Sequence, residues 1–89
     1  MSQVAVELAP LLHSYTGGRG RLSAEGNTLG EVLDDLDRRY PGVKFRVVDE
    51  QGQTRPHVRF FVNQDAVRKL EAPLAGGDRV YIVGALSGG

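Results

Sequence analysis

A single amphipathic helix constrains the fold of this chain most strongly. The segment Thr28-Leu29-Gly30-Glu31 has the spacing of a capping box, in which the hydroxyl of Thr28 accepts from the amide three residues later. Apolar residues then recur at helical spacing as far as Tyr40, and Pro41-Gly42 ends the pattern. Only one helix is therefore available to cover the sheet that the rest of the chain forms.

Strand patterns lie on both sides of this helix. Residues 3–8 alternate apolar and polar side chains, and residues 19–24 can return as a second strand. Residues 58–62 and 79–83 alternate in the same way after the helix. The order strand, strand, helix, strand, strand predicts an α+β domain with a mixed sheet.

The segments between these elements carry weaker patterns. Residues 9–18 predict a long, loose loop. The pattern of residues 43–57 is weak: Phe45, Val47 and Val48 suit either a short strand or a helical turn, and residues 49–56 suit a loop. Asn63-Gln64-Asp65 suits a turn. A chain of 89 residues has the size of one compact domain. We expect a single domain at residues 1–83, followed by a flexible tail at residues 84–89 that contains three glycines.

Composition excludes several classes of function. Lys and Arg number 11, as do Asp and Glu, so the net charge is zero and nothing favours nucleic acid or an anionic membrane as a partner. No apolar run approaches the ~20 residues of a membrane-spanning helix, and no secretory signal opens the chain, which predicts a cytoplasmic protein. Without cysteine there is no disulfide and no thiol nucleophile.

No residue pattern indicates a catalytic or metal site. His13 and His57 lie far apart without ligand-like neighbours at metal spacing, and we expect both in solvent-facing loops. Asp34, Asp35 and Asp37 predict a solvated helix face, because successive helix positions do not converge on one point. The serines lack the context of a catalytic triad, and no phosphate-binding loop is present, so we predict neither an enzyme nor a bound cofactor.

Several short motifs together resemble the ThiS/MoaD family of sulfur carriers. They are Arg39-Tyr40-Pro41-Gly42, Phe61-Val62-Asn63, Gly76-Gly77-Asp78-Arg79-Val80 and the terminal Gly88-Gly89. The resemblance implies the ubiquitin-like β-grasp fold, with a four- to five-stranded mixed sheet curled around one main helix. Residues 15–18, 22–28 and 43–57 are also similar to the cysteine-biosynthesis carriers of the CysO type.

The same resemblance implies an activity for the last residue. A partner ATP-dependent enzyme would adenylate the carboxylate of Gly89, and sulfur would replace one oxygen to give a thiocarboxylate. A sulfur-accepting synthase would then use the sulfur to make cysteine, molybdopterin, thiamine or a specialised metabolite. A metalloprotease that cleaves at the tail is a further implied partner. ATP would belong to the activating enzyme, since this chain has no site for it.

The tail suits this chemistry. Six extended residues span at most about 20 Å, enough to thread a narrow channel. Glycine at Gly88 and Gly89 removes β-carbons that would meet the channel walls. We therefore expect Gly84, Leu86, Ser87 and Gly88 to thread into the partner and Gly89 to carry the sulfur.

Strand alternation predicts a docking surface on the face of the sheet opposite the core. An apolar cluster with a charged rim suits a protein interface. An alternative is that residues 43–57 cover its aromatic rings. The predicted docking residues are Phe61, Tyr81, Arg59, Arg79 and Val83.

Two other functions share the same features. A ubiquitin-like protein modifier would be joined through the Gly89 carboxylate to lysines of target proteins, and its activation step would be the same. A plain protein-binding module would use neither terminal glycine. Deleting Gly89 separates the last possibility from the first two.

Overall fold

The computed structural model describes residues 2–84. Its elements in chain order are β1 (Gln3–Leu8), a 3-10 helix (Pro10–Thr16), β2 (Arg21–Glu25), α1 (Leu29–Arg39), α2 (Val43–Val47), β3 (Val58–Val62), β4 (Asp65–Val67) and β5 (Arg79–Gly84). The four predicted strands and the predicted helix are all present, within one or two residues of their expected bounds. None of the helices in this part of the chain is long and apolar enough to cross a membrane.

The strands form one mixed sheet in the order β2-β1-β5-β3-β4. Strands β1 and β5 run parallel, with Val6 opposite Val80, and the other pairs are antiparallel. Strand β5 therefore occupies the centre of the sheet, with partners on both sides. Its last residue, Gly84, lies opposite Val58 of β3.

One face of this sheet carries the hydrophobic core. Helix α1 buries Leu29, Val32, Leu33 and Leu36 completely, as its helical period predicts. They pack with the alternate strand residues Val4, Val6, Val58, Phe60, Val80 and Ile82, which are at most 1% exposed. The predicted cap is present, since the amide of Glu31 donates to the Thr28 hydroxyl at 3.2 Å. The arrangement matches the sheet and helix that the family resemblance implies.

Three short elements lie where the sequence pattern was weak or predicted a loop. Helix α2 realises the helical turn that was one of the two alternatives for Phe45, Val47 and Val48. The 3-10 helix replaces the loose loop at residues 9–18 and buries Leu12 in the core. Helix α2 lies within residues 43–57 and buries Val43 and Val47, while β4 begins at Asp65. These elements have three to seven residues, too few for a period to be recognised, and burial against the core stabilises them.

The prediction of a solvated side chain was wrong for Asp35 and His13, and Asp37 is also partly buried. Asp35 is only 8% exposed. Its carboxylate accepts from the amide of Glu25 at 3.1 Å and from the guanidinium of Arg39 at 2.9 Å, and it also pairs with Arg38. His13 is partly buried in the 3-10 helix, where its Nε2 hydrogen-bonds the carbonyl oxygen of Leu8 at 3.1 Å. Both side chains have partners from other elements, which a local pattern cannot reveal.

The turn before β5 depends on Asp78. Its carboxylate accepts from the amide of Ala75 at 2.9 Å and from Nδ2 of Asn63 at 3.1 Å. These hydrogen bonds, that from Ala75 first, hold the pKa of Asp78 below its usual value. Oδ1 of Asn63 accepts in turn from the amide of Arg79 at 3.1 Å. Asp78 thus ties the start of β5 to the turn after β3.

We predict that Asp78→Ala destabilises the protein at pH 7 and that this difference disappears in acid. The lowered pKa in the folded state means that ionised Asp78 stabilises the fold above the unfolded pKa of about 3.9. This contribution is lost as the pH falls through the lower, folded pKa. Urea unfolding of both proteins between pH 2.5 and 7 measures the difference.

Asp65→Ala removes an exposed carboxylate from β4 and serves as the matched control. If Asp78→Ala is less stable than the unchanged chain by the same amount at pH 2.5 and at pH 7, ionised Asp78 is not the stabilising group.

Candidate functional site

The tail leaves the domain from the centre of the sheet. The sequence assigned Gly84 to the flexible tail, but the structure places it in β5, paired with Val58. Strand β5 therefore ends one residue later than predicted. The other predicted tail positions, Ala85 to Gly89, lie outside the described residues, and the roles predicted for Leu86, Ser87, Gly88 and Gly89 remain predictions.

Gly84 is in close contact with the 3-10 helix. A β-carbon built on Gly84 would lie far inside van der Waals distance of Cδ2 of Leu11 and 3.2 Å from its Cγ. Ala9 also approaches, at 3.8 Å from the same built position, and its amide donates to the carbonyl oxygen of Ile82 at 2.8 Å. Leu11 thus packs across the point where the tail begins. Sequence reasoning missed Leu11, because nothing local relates it to residue 84.

The outer face of the sheet brings four of the five predicted docking residues together. Phe61 lies directly opposite Tyr81, and Arg59 lies directly opposite Val83, on the antiparallel pair β3 and β5. Both aromatic residues are half-buried, and Val83 is 44% exposed. Their neighbours on the same strands, such as Phe60 and Ile82, point into the core.

Arg79, the fifth predicted residue, belongs to a charged group at the other end of this face. Its Nη1 lies 3.5 Å from Oε2 of Glu7, and Glu7 also pairs with Arg21 at 3.9 Å. Glu7 itself is opposite Tyr81 across the parallel pair. The alternation of β1 placed Glu7 on this face, but the sequence alone did not connect it with Tyr81.

Residues 43–57 do not bring α2 over these aromatic rings. Val43, Val47 and Val48 belong to the core on the helical side of the sheet, and α2 packs on α1 and the 3-10 helix. We define the docking face as Phe61, Tyr81, Val83, Arg59 and Arg79. Among residues 2–84 no three side chains of metal-ligating type lie close enough to hold an ion.

Comparison with known proteins identifies the class. The ThiS family model matches residues 11–89. The sulfur carrier protein CysO of Mycobacterium tuberculosis is 37% identical over 91 residues, covering 97% of this chain and 98% of that protein. A crystal structure of M. tuberculosis CysO superposes with a TM-score of 0.87 at 35% identity, covering 93% of this chain and 99% of that one.

Two further solved structures are similar over their whole lengths. A chain in the crystal structure of the Amycolatopsis orientalis BexX/CysO complex superposes with a TM-score of 0.89 at 34% identity, covering 97% of this chain and 99% of that one. Small archaeal modifier protein 1 from Methanosarcina acetivorans has a TM-score of 0.82 at 26% identity, covering 100% of this chain and 98% of that one.

The fold is thus the ubiquitin-like β-grasp fold, as the resemblance implied. The chain belongs to the ThiS family. Within that family it is CysO-like, and CysO is a sulfur carrier protein, in agreement with the predicted carrier role.

We predict that Gly84→Ala destabilises the fold by about 1–3 kcal/mol, because the added methyl group forces Leu11 out of its packed position. In a Leu11→Ala background the same change should cost much less, since the space is then free. Urea unfolding of the four proteins gives the coupling energy of this double-mutant cycle.

Gly76→Ala is the matched control, because a β-carbon there meets nothing within 4 Å. Additive effects of Gly84→Ala and Leu11→Ala would show that Leu11 does not pack on Gly84, which we call the root of the tail.

Proposed function

We propose that this protein carries sulfur as a thiocarboxylate on Gly89. The observation that supports this most is the CysO likeness, which spans nearly the whole chain, together with a family match that extends to residue 89. The tail root supports it as well, because β5 holds Gly84 at the centre of the sheet. The five residues after Gly84 would reach about 17 Å when extended.

The chemistry requires an activated carboxylate. A carboxylate oxygen of Gly89 attacks the α-phosphorus of ATP in the partner enzyme, which releases pyrophosphate and leaves an acyl-adenylate. Hydrosulfide then attacks the carbonyl carbon, AMP leaves with the original oxygen, and one proton is released. The product is a thiocarboxylate, with no change in the oxidation state of carbon or sulfur. This chain contributes the carboxylate, and the partner contributes ATP binding and catalysis.

The partners we propose are an ATP-dependent adenylating enzyme, a synthase that accepts the sulfur and a metalloprotease that cleaves at the tail. The crystal structure of the Amycolatopsis orientalis BexX/CysO complex supports the idea that a similar protein acts while bound to another protein. The docking face supports it too, because a partly exposed apolar patch with a charged rim is typical of a protein interface. Which acceptor receives the sulfur is a property of the synthase.

We predict that a thiol-selective reagent labels Gly89. The protein is recovered from a host that contains its own partners, and the C-terminal peptide is examined by mass spectrometry. Because the sequence has no cysteine, a specific label reports a thiocarboxylate. Intact mass alone is insufficient, since replacing oxygen by sulfur changes the mass almost as much as oxidation of Met1 does.

A chain that lacks Gly89 serves as the control and should not be labelled. Absence of label on the full chain, in the presence of a partner shown to adenylate it, would refute the sulfur-carrier proposal.

A second candidate is a protein modifier. Its support is the likeness to small archaeal modifier protein 1, at 26% identity over the whole chain. In that case Gly89 would form an amide bond with a lysine of a target protein, and AMP would leave from the same adenylate. Slower-migrating conjugates that contain the chain, without thiol label on Gly89, would favour this function.

The docking face gives another prediction. Val83→Asp places a charge on the most exposed apolar residue of that face, and we expect it to lower the labelled fraction of Gly89 at least about tenfold, as for a central interface residue. Labelling of both chains in the source host, with folding checked by circular dichroism, measures this.

Tyr15→Asp is the matched control, because Tyr15 is also exposed but lies beside Gly42, between α1 and α2. Equal labelling of Val83→Asp and the unchanged chain would exclude the docking face as the partner's binding surface.

A further inference from the structure

A pocket of about 340 Å³ lies at one corner of the sheet, beside the root of the tail. Three arginines line it, Arg55, Arg59 and Arg68, together with the polar side chains of Gln53 and Thr54. The rest of its lining is apolar, and none of its lining residues is acidic. We propose that this arginine pocket binds carboxylate side chains from an acidic segment of the protein that activates Gly89. The identity of that partner rests on the proposed function.

Two of the three guanidinium groups are held in place by the backbone. Nη1 of Arg59 donates to the carbonyl oxygens of Pro56 and Val58, each at 2.9 Å. Nε of Arg55 donates to the carbonyl oxygen of Phe45 at 2.7 Å, and its guanidinium lies 4.5 Å from the centre of the Phe45 ring. A guanidinium has five N–H groups, so each arginine keeps others for an anion. Pre-positioned guanidiniums suit carboxylates, because the planar fork matches two oxygens.

The arginines of the pocket form no ion pair with the described residues. The five ion pairs formed among residues 2–84 involve Arg21, Arg38, Arg39, Lys44 and Arg79. None of them includes an arginine of the pocket. Acidic residues lie instead along α1, where Asp34 and Asp35 form ion pairs with lysine and arginine side chains outside the pocket. Although the whole chain is neutral, this corner is therefore locally positive and attracts acidic groups.

The position of the pocket favours a protein carboxylate over a free anion. Val58 and Arg59, which line it, are paired with Gly84 and Val83. Arg59 therefore belongs both to the pocket and to the docking face. A partner that encloses the residues after Gly84 lies against this corner, where acidic side chains next to an apolar surface would match both parts. Arg68 also lines a neighbouring depression with Lys69 and Glu71, whose opposite charges offset each other.

The test uses the full chain and an uncharged-ended peptide of six glutamates. The peptide is titrated into the ¹⁵N-labelled protein at about 0.1 M salt, where exposed charges more than ~10 Å apart are largely screened. We expect saturable shifts of the amide signals of Gln53, Thr54 and Arg68. Arg68→Gln should weaken binding about fivefold. This arginine is chosen because its side chain is exposed and forms no hydrogen bond with the described residues, so the fold does not depend on it.

Arg19→Gln is the matched control, since it removes the same charge from an exposed turn outside the pocket. Two results would overturn the proposal in favour of unspecific electrostatic attraction. One is that Arg19→Gln weakens peptide binding as much as Arg68→Gln does, and the other is that the amide shifts do not saturate. Inorganic pyrophosphate is titrated in parallel. If it binds more tightly than the peptide, the proposal is overturned in favour of a small-anion site. None of these results depends on activation of Gly89, so the labelling experiment tests the sulfur-carrier function separately.

Discussion

The parallel pairing of β1 with β5 is the contact on which the rest of the structure depends. It joins the two ends of the chain, with Val6 opposite Val80 and Leu8 opposite Ile82. Because β5 is inserted between β1 and β3, it is hydrogen-bonded on both sides. A tail that started from an edge strand could fray together with its strand, whereas this one starts from the best-supported strand of the sheet. The domain therefore presents its last residues from a fixed origin.

The helices lie on one face of the sheet and leave the other face uncovered by them. Helix α1 covers one face of the sheet and packs with α2, whose valines join the core on the same side. The opposite face keeps Phe61 and Tyr81 half-buried and Val83 exposed. Since β3 and β5 carry both this face and the tail root, a protein bound on the face also lies next to Gly84. Under the proposed function, binding of the partner and delivery of the tail would be coupled through β5, the strand that they share.

The elements that the sequence predicted are those with a long or strictly alternating pattern. The capping box at Thr28 and the period of α1 are local, and so is the alternation of Phe60 with Phe61. The 3-10 helix, α2 and β4 are too short to have a period, and tertiary burial of residues such as Leu12 stabilises them. The partners of Asp35 follow the same rule, because the amide of Glu25 lies ten positions away on β2. Alternation likewise predicted which residues share the docking face. The arginine pocket could not be predicted in this way, because it combines residues of a loop with residues of a strand.

Gly84 illustrates how far composition can be interpreted. As one of three glycines near the end of the chain it indicated flexibility. In the structure it is a strand residue without a side chain because Leu11 occupies the space where a β-carbon would lie. Under the proposed function, Gly88 and Gly89 would be required for a different reason, namely the narrow passage that the activation chemistry implies. One residue type would thus serve close packing at the root of the tail and slenderness at its end, and the sequence alone does not distinguish these two roles.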